Sequence, residues 1–121
     1  RISVTPGEGR AVLLEVLEQI IGELKEREAS IGHLKFYIRS GDVEAKLSFP
    51  VFAEDGWQDG IPDLPDEEIY VILNARVQLP AKELYMIVRR ALANTESRED
   101  VGMEASGVRF FHPDIPVRRG S

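Results

Sequence analysis

Apolar and polar side chains alternate along residues 31–51, and a Ser-Gly-Asp turn at residues 40–42 divides the alternation in two. Successive side chains of a β-strand point to opposite faces, so this pattern predicts two strands that each have one apolar face. The short turn between them predicts a β-hairpin. The apolar positions are Leu34, Phe36, Ile38, Val43, Ala45, Leu47, Phe49 and Val51.

Three further segments are candidate strands. Ile69 to Val77 continues the alternation and predicts a third strand. Met103 to Phe111 predicts a last strand, in which Gly107 marks a β-bulge. Arg1 to Val4 is a candidate short edge strand, or the first strand of a ferredoxin-like sheet, and four residues are too few to decide.

Two amphipathic helices separate these strands. Thr5-Pro6-Gly7-Glu8 predicts a helix start with Thr5 as N-cap and Glu8 closing a capping box, and apolar residues then recur at helical spacing to about residue 28. The same stretch, continued to Arg10, lacks the spacing of a phosphate-binding loop. Pro80 opens the second helix, which the polar segment Asn94 to Asp100 ends.

These elements predict an α+β fold in a single domain spanning residues 1–121. We expect a two-layer ferredoxin-like sandwich, with a mostly antiparallel four-stranded sheet and two helices on one face. Two prolines predict an extended tail over residues 112–121. The open face of the sheet is then basic and aromatic, and we expect it to bind a partner. It carries His33, Lys35, Tyr37, Arg39, Lys46, Tyr70, Ile72, Asn74 and Arg76.

The segment Ala53 to Glu68 is rich in Gly, Pro and acidic residues, which predicts a solvated loop. Its acidic spacing does not match a calcium-binding loop. Trp57 lies inside this loop, where it either covers the core or contacts a partner.

Composition narrows the classes of function. The chain has no cysteine, which excludes disulfides, thiolate metal sites and cysteine nucleophiles. Its net charge of −6 disfavours non-specific binding to nucleic acid, and no RNA-recognition motif is present. No apolar run is long enough to span a bilayer, so we expect a soluble chain. The lack of cysteine fits a cytoplasmic location. Because the chain begins at Arg1 without methionine, we expect a domain excised from a larger protein.

Metal binding and catalysis have few candidate residues. His33, His112 and Asp114 offer nitrogen and oxygen ligands of the type that zinc or cobalt takes, but their spacing does not require a site, and solvated histidines are the favoured interpretation. The chain has no nucleophile elbow and no cysteine, so we expect no enzymatic activity.

Two short motifs resemble a known family. Ile31-Gly32-His33-Leu34-Lys35, together with Phe111-His112-Pro113-Asp114-Ile115-Pro116 and the following Arg118-Arg119, is similar to the carboxy-terminal region of CobW-like P-loop GTPases. That family acts in cobalamin biosynthesis and as metallochaperones. The resemblance implies an accessory domain that docks on a GTPase domain, in the same chain or in another, or that helps to present metal. The Walker lysine loop is absent, so it does not imply GTP hydrolysis.

The sequence therefore predicts a non-catalytic interaction domain, with a stand-alone homodimer that pairs its sheets face to face as the alternative. A nucleic-acid-binding domain is less favoured. The candidate partner-binding residues are His33, Lys35, Tyr37, Arg39, Trp57, Tyr70, Arg76, Arg118 and Arg119.

Overall fold

The computed structural model describes residues 1–96 and the backbone of residues 101–103. Five strands form one sheet in which every neighbouring pair is antiparallel. The elements in chain order are β1 (Ile2–Val4), α1 (Gly9–Glu26), β2 (Ile31–Ser40), β3 (Val43–Ser48), β4 (Glu68–Val77), α2 (Ala81–Glu96) and β5 (Val101–Met103). The strands lie side by side in the order β3-β2-β4-β1-β5.

Both helices cover one face of this sheet, which confirms the predicted α+β sandwich. Leu17 of α1 and Ile87 of α2 belong to the same buried cluster as Phe36 of β2 and Ile69 of β4. The order β2-β4-β1-β5, with a helix after β1 and another after β4, is compatible with a ferredoxin-like arrangement. Strand β3 adds a fifth strand at the edge beside β2.

The candidate strand at residues 1–4 forms, but inside the sheet and not at its edge. Strand β1 lies inside the sheet, where Ile2 is opposite Ile69 of β4 on one side and Met103 of β5 on the other. The side chains of Ile2 and Val4 are buried. A strand of only three residues gains most from this position, because both of its backbone edges are hydrogen-bonded there. The predicted Gly107 bulge and the tail lie outside the described residues.

The predicted capping box at Thr5 is also wrong. The N-cap of α1 is Glu8, which makes no side-chain capping bond, and the Thr5 carbonyl accepts the Glu8 N–H at 3.0 Å within a turn. Gly7 has φ of +92°, which a right-handed helix excludes, so the helix begins only after it. At the other end α1 stops at Glu26. Helix α2 continues past Asn94 to Glu96.

The start of α1 fits closely against the loop between β3 and β4. A Cβ added at Gly9 would lie 2.6 Å from the Leu64 carbonyl oxygen and 3.0 Å from the Ile69 Cδ1. The next residue, Arg10, donates from Nε to the Ile61 carbonyl at 2.8 Å and from Nη2 to the Gln58 carbonyl at 2.9 Å. Packing and loop attachment therefore account for this glycine-rich stretch.

We expect Gly9→Ala to lower the free energy of unfolding by about 1–3 kcal/mol, because the new methyl group must displace backbone. Gly22→Ala is the matched control, since a Cβ there meets open space in the middle of α1. It should raise the free energy of unfolding by about 0.5–1 kcal/mol. Urea denaturation of both variants measures these changes, and equal midpoints would contradict the packing at Gly9.

Candidate functional site

The face of the sheet opposite the helices is the candidate site, and we call it the outer face. Strands β2, β3 and β4 supply its side chains at every second position, because their alternate residues are taken by the core. Its members are His33, Lys35, Tyr37, Arg39, Glu44, Lys46, Ser48, Glu68, Tyr70, Ile72, Asn74 and Arg76.

The centre of the outer face is apolar and exposed. Tyr37 lies between Lys46 of β3 and Ile72 of β4 in the strand register. Ile72 is 64% exposed and Tyr37 is 39% exposed. Tyr70, the neighbouring outward-facing residue of β4, is 42% exposed. Large apolar side chains grouped in this way on a surface are typical of a site of protein contact.

Two cations lie over these aromatic rings. The Arg39 guanidinium carbon is 5.2 Å from the centroid of the Tyr70 ring, and the Lys35 Nζ is 5.7 Å from the centroid of the Tyr37 ring. Both distances lie within the range of a cation–π interaction. The long side chains of Lys35 and Arg39 are thus held against the sheet, with their charges beside the apolar centre.

Two carboxylates share the outer face with these cations. Glu44 is opposite Arg39 in the hairpin register. Glu68, at the β1 end of the face, has its Oε1 atom 3.2 Å from Nη1 of Arg1. The charge of Glu68 is therefore offset by a neighbouring cation, and the outer face is basic in balance.

An open cleft of about 280 Å³ lies at one end of the outer face, where Arg39 and Tyr70 meet the acidic residues Asp66, Glu67 and Glu68. Within residues 1–96, no group of three or more histidines and carboxylates is placed to hold a metal ion. His33 is exposed and lies opposite Arg76.

Several sequence-predicted residues cannot be placed on this site. His112, Asp114, Arg118 and Arg119 lie outside the described residues, so the zinc or cobalt site and the tail contacts stay predictions. The structure does bring together the six predicted residues on β2 and β4. Lys46 and Ile72, which the sequence also predicts on this face, are exposed beside Tyr37.

Trp57 is not an exposed contact residue, which corrects one of the two interpretations of the loop. Its side chain is 8% exposed, and its ring meets Phe52 edge-on at 5.2 Å between centroids. Phe52 meets Phe36 of β2 in the same way at 5.5 Å. The loop therefore folds back so that these rings cover the core on the helix side of the sheet. Two 3₁₀ turns, Val51–Ala53 and Trp57–Gly60, shape it.

Comparisons with known proteins returned no match among protein-family models, curated proteins or solved structures. Neither described helix has the length and apolar character needed to cross a membrane.

We expect Arg10→Met to loosen the loop and expose Trp57, because two hydrogen bonds from the guanidinium are lost. The free energy of unfolding should fall by about 1–3 kcal/mol. Trp57 is the only tryptophan, so acrylamide quenching of its fluorescence reports the change directly. Quenching should increase in Arg10→Met and stay unchanged in Arg27→Met, whose guanidinium pairs at the exposed end of α1. Equal quenching in both variants would contradict the role of Arg10.

Proposed function

We propose that this chain is a non-catalytic interaction domain that binds a protein partner through the outer face. The observation that carries the proposal is the exposed group of Tyr37, Tyr70 and Ile72 with cations beside it. Interfaces between proteins combine an apolar, aromatic centre with a polar rim, and arginine and tyrosine are enriched in them. The outer face has this composition.

The shape of the site also favours a protein over a small molecule. Small ligands bind in concave pockets that bury most of their surface. The outer face is the side of a β-sheet, and its apolar side chains stand on neighbouring strands in one register. A partner with a surface of matching shape would remove Ile72 from water, which contributes about 1.5–3 kcal/mol for a large aliphatic side chain.

A GTPase domain is the first partner to test. The motifs around His33 and His112 resemble the carboxy-terminal region of CobW-like GTPases, whose accessory domain docks on a GTPase domain. In this proposal the outer face makes the contact, with the GTPase domain either in the same protein or in a separate chain. Presentation of zinc or cobalt by His33, His112 and Asp114 would be an additional role for the same domain.

Site-specific photocrosslinking in the native cells tests this proposal. A photoreactive phenylalanine analogue at position 72 should give a crosslinked product that mass spectrometry identifies as a GTPase domain, because this position lies at the centre of the outer face. The control places the analogue at position 26, which is exposed on α1. Crosslinks of equal yield from positions 72 and 26 would contradict docking at the outer face.

A homodimer through the same face is the second candidate, which the exposure of Ile72 and Tyr37 also favours. In that case Tyr37→Glu should convert a dimer into a monomer, because a carboxylate would be buried in the interface. Sedimentation analysis of the purified chain measures this, with Met86→Glu on α2 as control for an exposed apolar residue elsewhere. A wild-type chain that sediments as a monomer would exclude the homodimer.

A further inference from the structure

We infer that the partner of the outer face is an acidic protein surface, with carboxylates on both sides of an apolar patch. This inference rests on the proposed function and adds the chemistry of the partner. It follows from three features of the described residues: the sign of the charge on the outer face, the lack of local partners for its cations, and their spacing.

The outer face is opposite in sign to the chain as a whole. The chain has a net charge of −6. Four cations, all on alternate positions of three neighbouring strands, stand on the outer face, where Glu44 and the Arg1-bound Glu68 are the acidic members of these strands. Asp66 and Glu67 border the face only at the Arg39 end, where they line the cleft. The cations are Lys35, Arg39, Lys46 and Arg76. A basic patch on an acidic protein steers an oppositely charged partner to that patch and disfavours other orientations.

These cations have no carboxylate oxygen within 4 Å among the residues that the structure describes, whereas Arg27 and Arg90 on the helix side do. Arg27 and Arg90 both pair with Glu23, at the contact between α1 and α2. On the outer face, Lys35 and Arg39 lie instead over tyrosine rings. A cation held on an aromatic ring keeps its charge available and loses less conformational freedom when a carboxylate binds.

The spacing along β2 defines the complementary pattern. Lys35, Tyr37 and Arg39 occupy three successive outward positions of one strand. Residues two apart in a strand are separated by about 7 Å, so the Cα atoms of Lys35 and Arg39 stand about 13 Å apart with Tyr37 between them. A complementary partner therefore presents carboxylates on both sides of an apolar group.

The charges of the outer face and of the whole chain disfavour a second copy of the chain or a nucleic acid as the partner. A second copy docked face to face about a two-fold axis would bring Lys and Arg side chains against Lys and Arg side chains. A nucleic acid offers phosphates, but its continuous negative charge would also meet the acidic remainder of the chain.

Titration of the isotope-labelled domain with three short peptides of equal length, followed by NMR, tests the inference. The peptides alternate leucine with glutamate, glutamine or lysine at spacings that match β2, and a uridine oligonucleotide is the fourth probe. We expect the glutamate peptide to bind most tightly and to shift amide signals of β2 and β4. Its dissociation constant should rise as salt is raised from about 0.05 to about 0.3 M, because salt screens exposed charges.

Matched charge reversals isolate the contribution of the outer face. Lys35→Glu with Lys46→Glu should weaken binding of the glutamate peptide by about tenfold, since two attractive pairs become repulsive. Lys25→Glu with Lys82→Glu makes the same change in net charge on the helices, where both lysines are exposed, and should have little effect. Melting temperatures of both double variants establish that they are folded.

The outcomes separate this inference from the proposed function. Equal or tighter binding of the glutamine or lysine peptide at the outer face would overturn the acidic partner and retain docking at that face. Tighter binding of the oligonucleotide would overturn the inference in favour of nucleic acid. No shift at the outer face with any probe would also overturn it, and photocrosslinking from position 72 would then decide on docking alone.

Discussion

Burial of one side of β2 is the constraint on which the rest of the structure depends. Leu34, Phe36 and Ile38 are almost fully buried, and β2 is hydrogen-bonded to β3 on one edge and to β4 on the other. A shift of one residue in register would exchange these side chains with the polar ones between them. Each large apolar side chain contributes about 1.5–3 kcal/mol by burial, so the register is strongly specified. The residues on the outer face are therefore fixed in position without being needed for packing.

The sequence predicts most of this fold because its strands are buried on one face only. Alternation of polarity is then a direct record of which side chains meet the core, as it is in β2, β4 and β3 up to Ser48. The prediction is wrong for Phe49 and Val51, which continue the alternation beyond the end of β3 and are exposed. Features that depend on backbone conformation or distant contacts were less accessible. The positive φ of Gly7 delays the start of α1, and the three residues of β1 carry too short a pattern to decide between an edge and an interior strand. Trp57 is buried against the ring of Phe52, and this contact forms only when the loop between β3 and β4 folds back.

The candidate site was also predicted only in part from the sequence. Alternation predicts which residues share the outer face, because every second residue of a strand points to the same side of the sheet. It does not predict which of their charges are offset, since pairing joins residues far apart in the chain. Arg1 reaches Glu68 across the β1–β4 pair, whereas Lys35 and Arg39 lie over aromatic rings. The basic character of the outer face thus follows from alternation, whereas the offset of Glu68 and the stacking of the two cations, on which the inference of an acidic partner rests, depend on tertiary contacts.

Covalent footprinting inside cells tests the central claim, that the outer face is covered by a partner, most directly. Hydroxyl radicals label exposed Tyr37 and Tyr70 on the outer face and exposed Met86 on α2 in the purified domain. The account predicts that labelling of both tyrosines falls in cells relative to the purified domain, while labelling of Met86 is unchanged. Equal labelling of the tyrosines in cells and in the purified domain would contradict it.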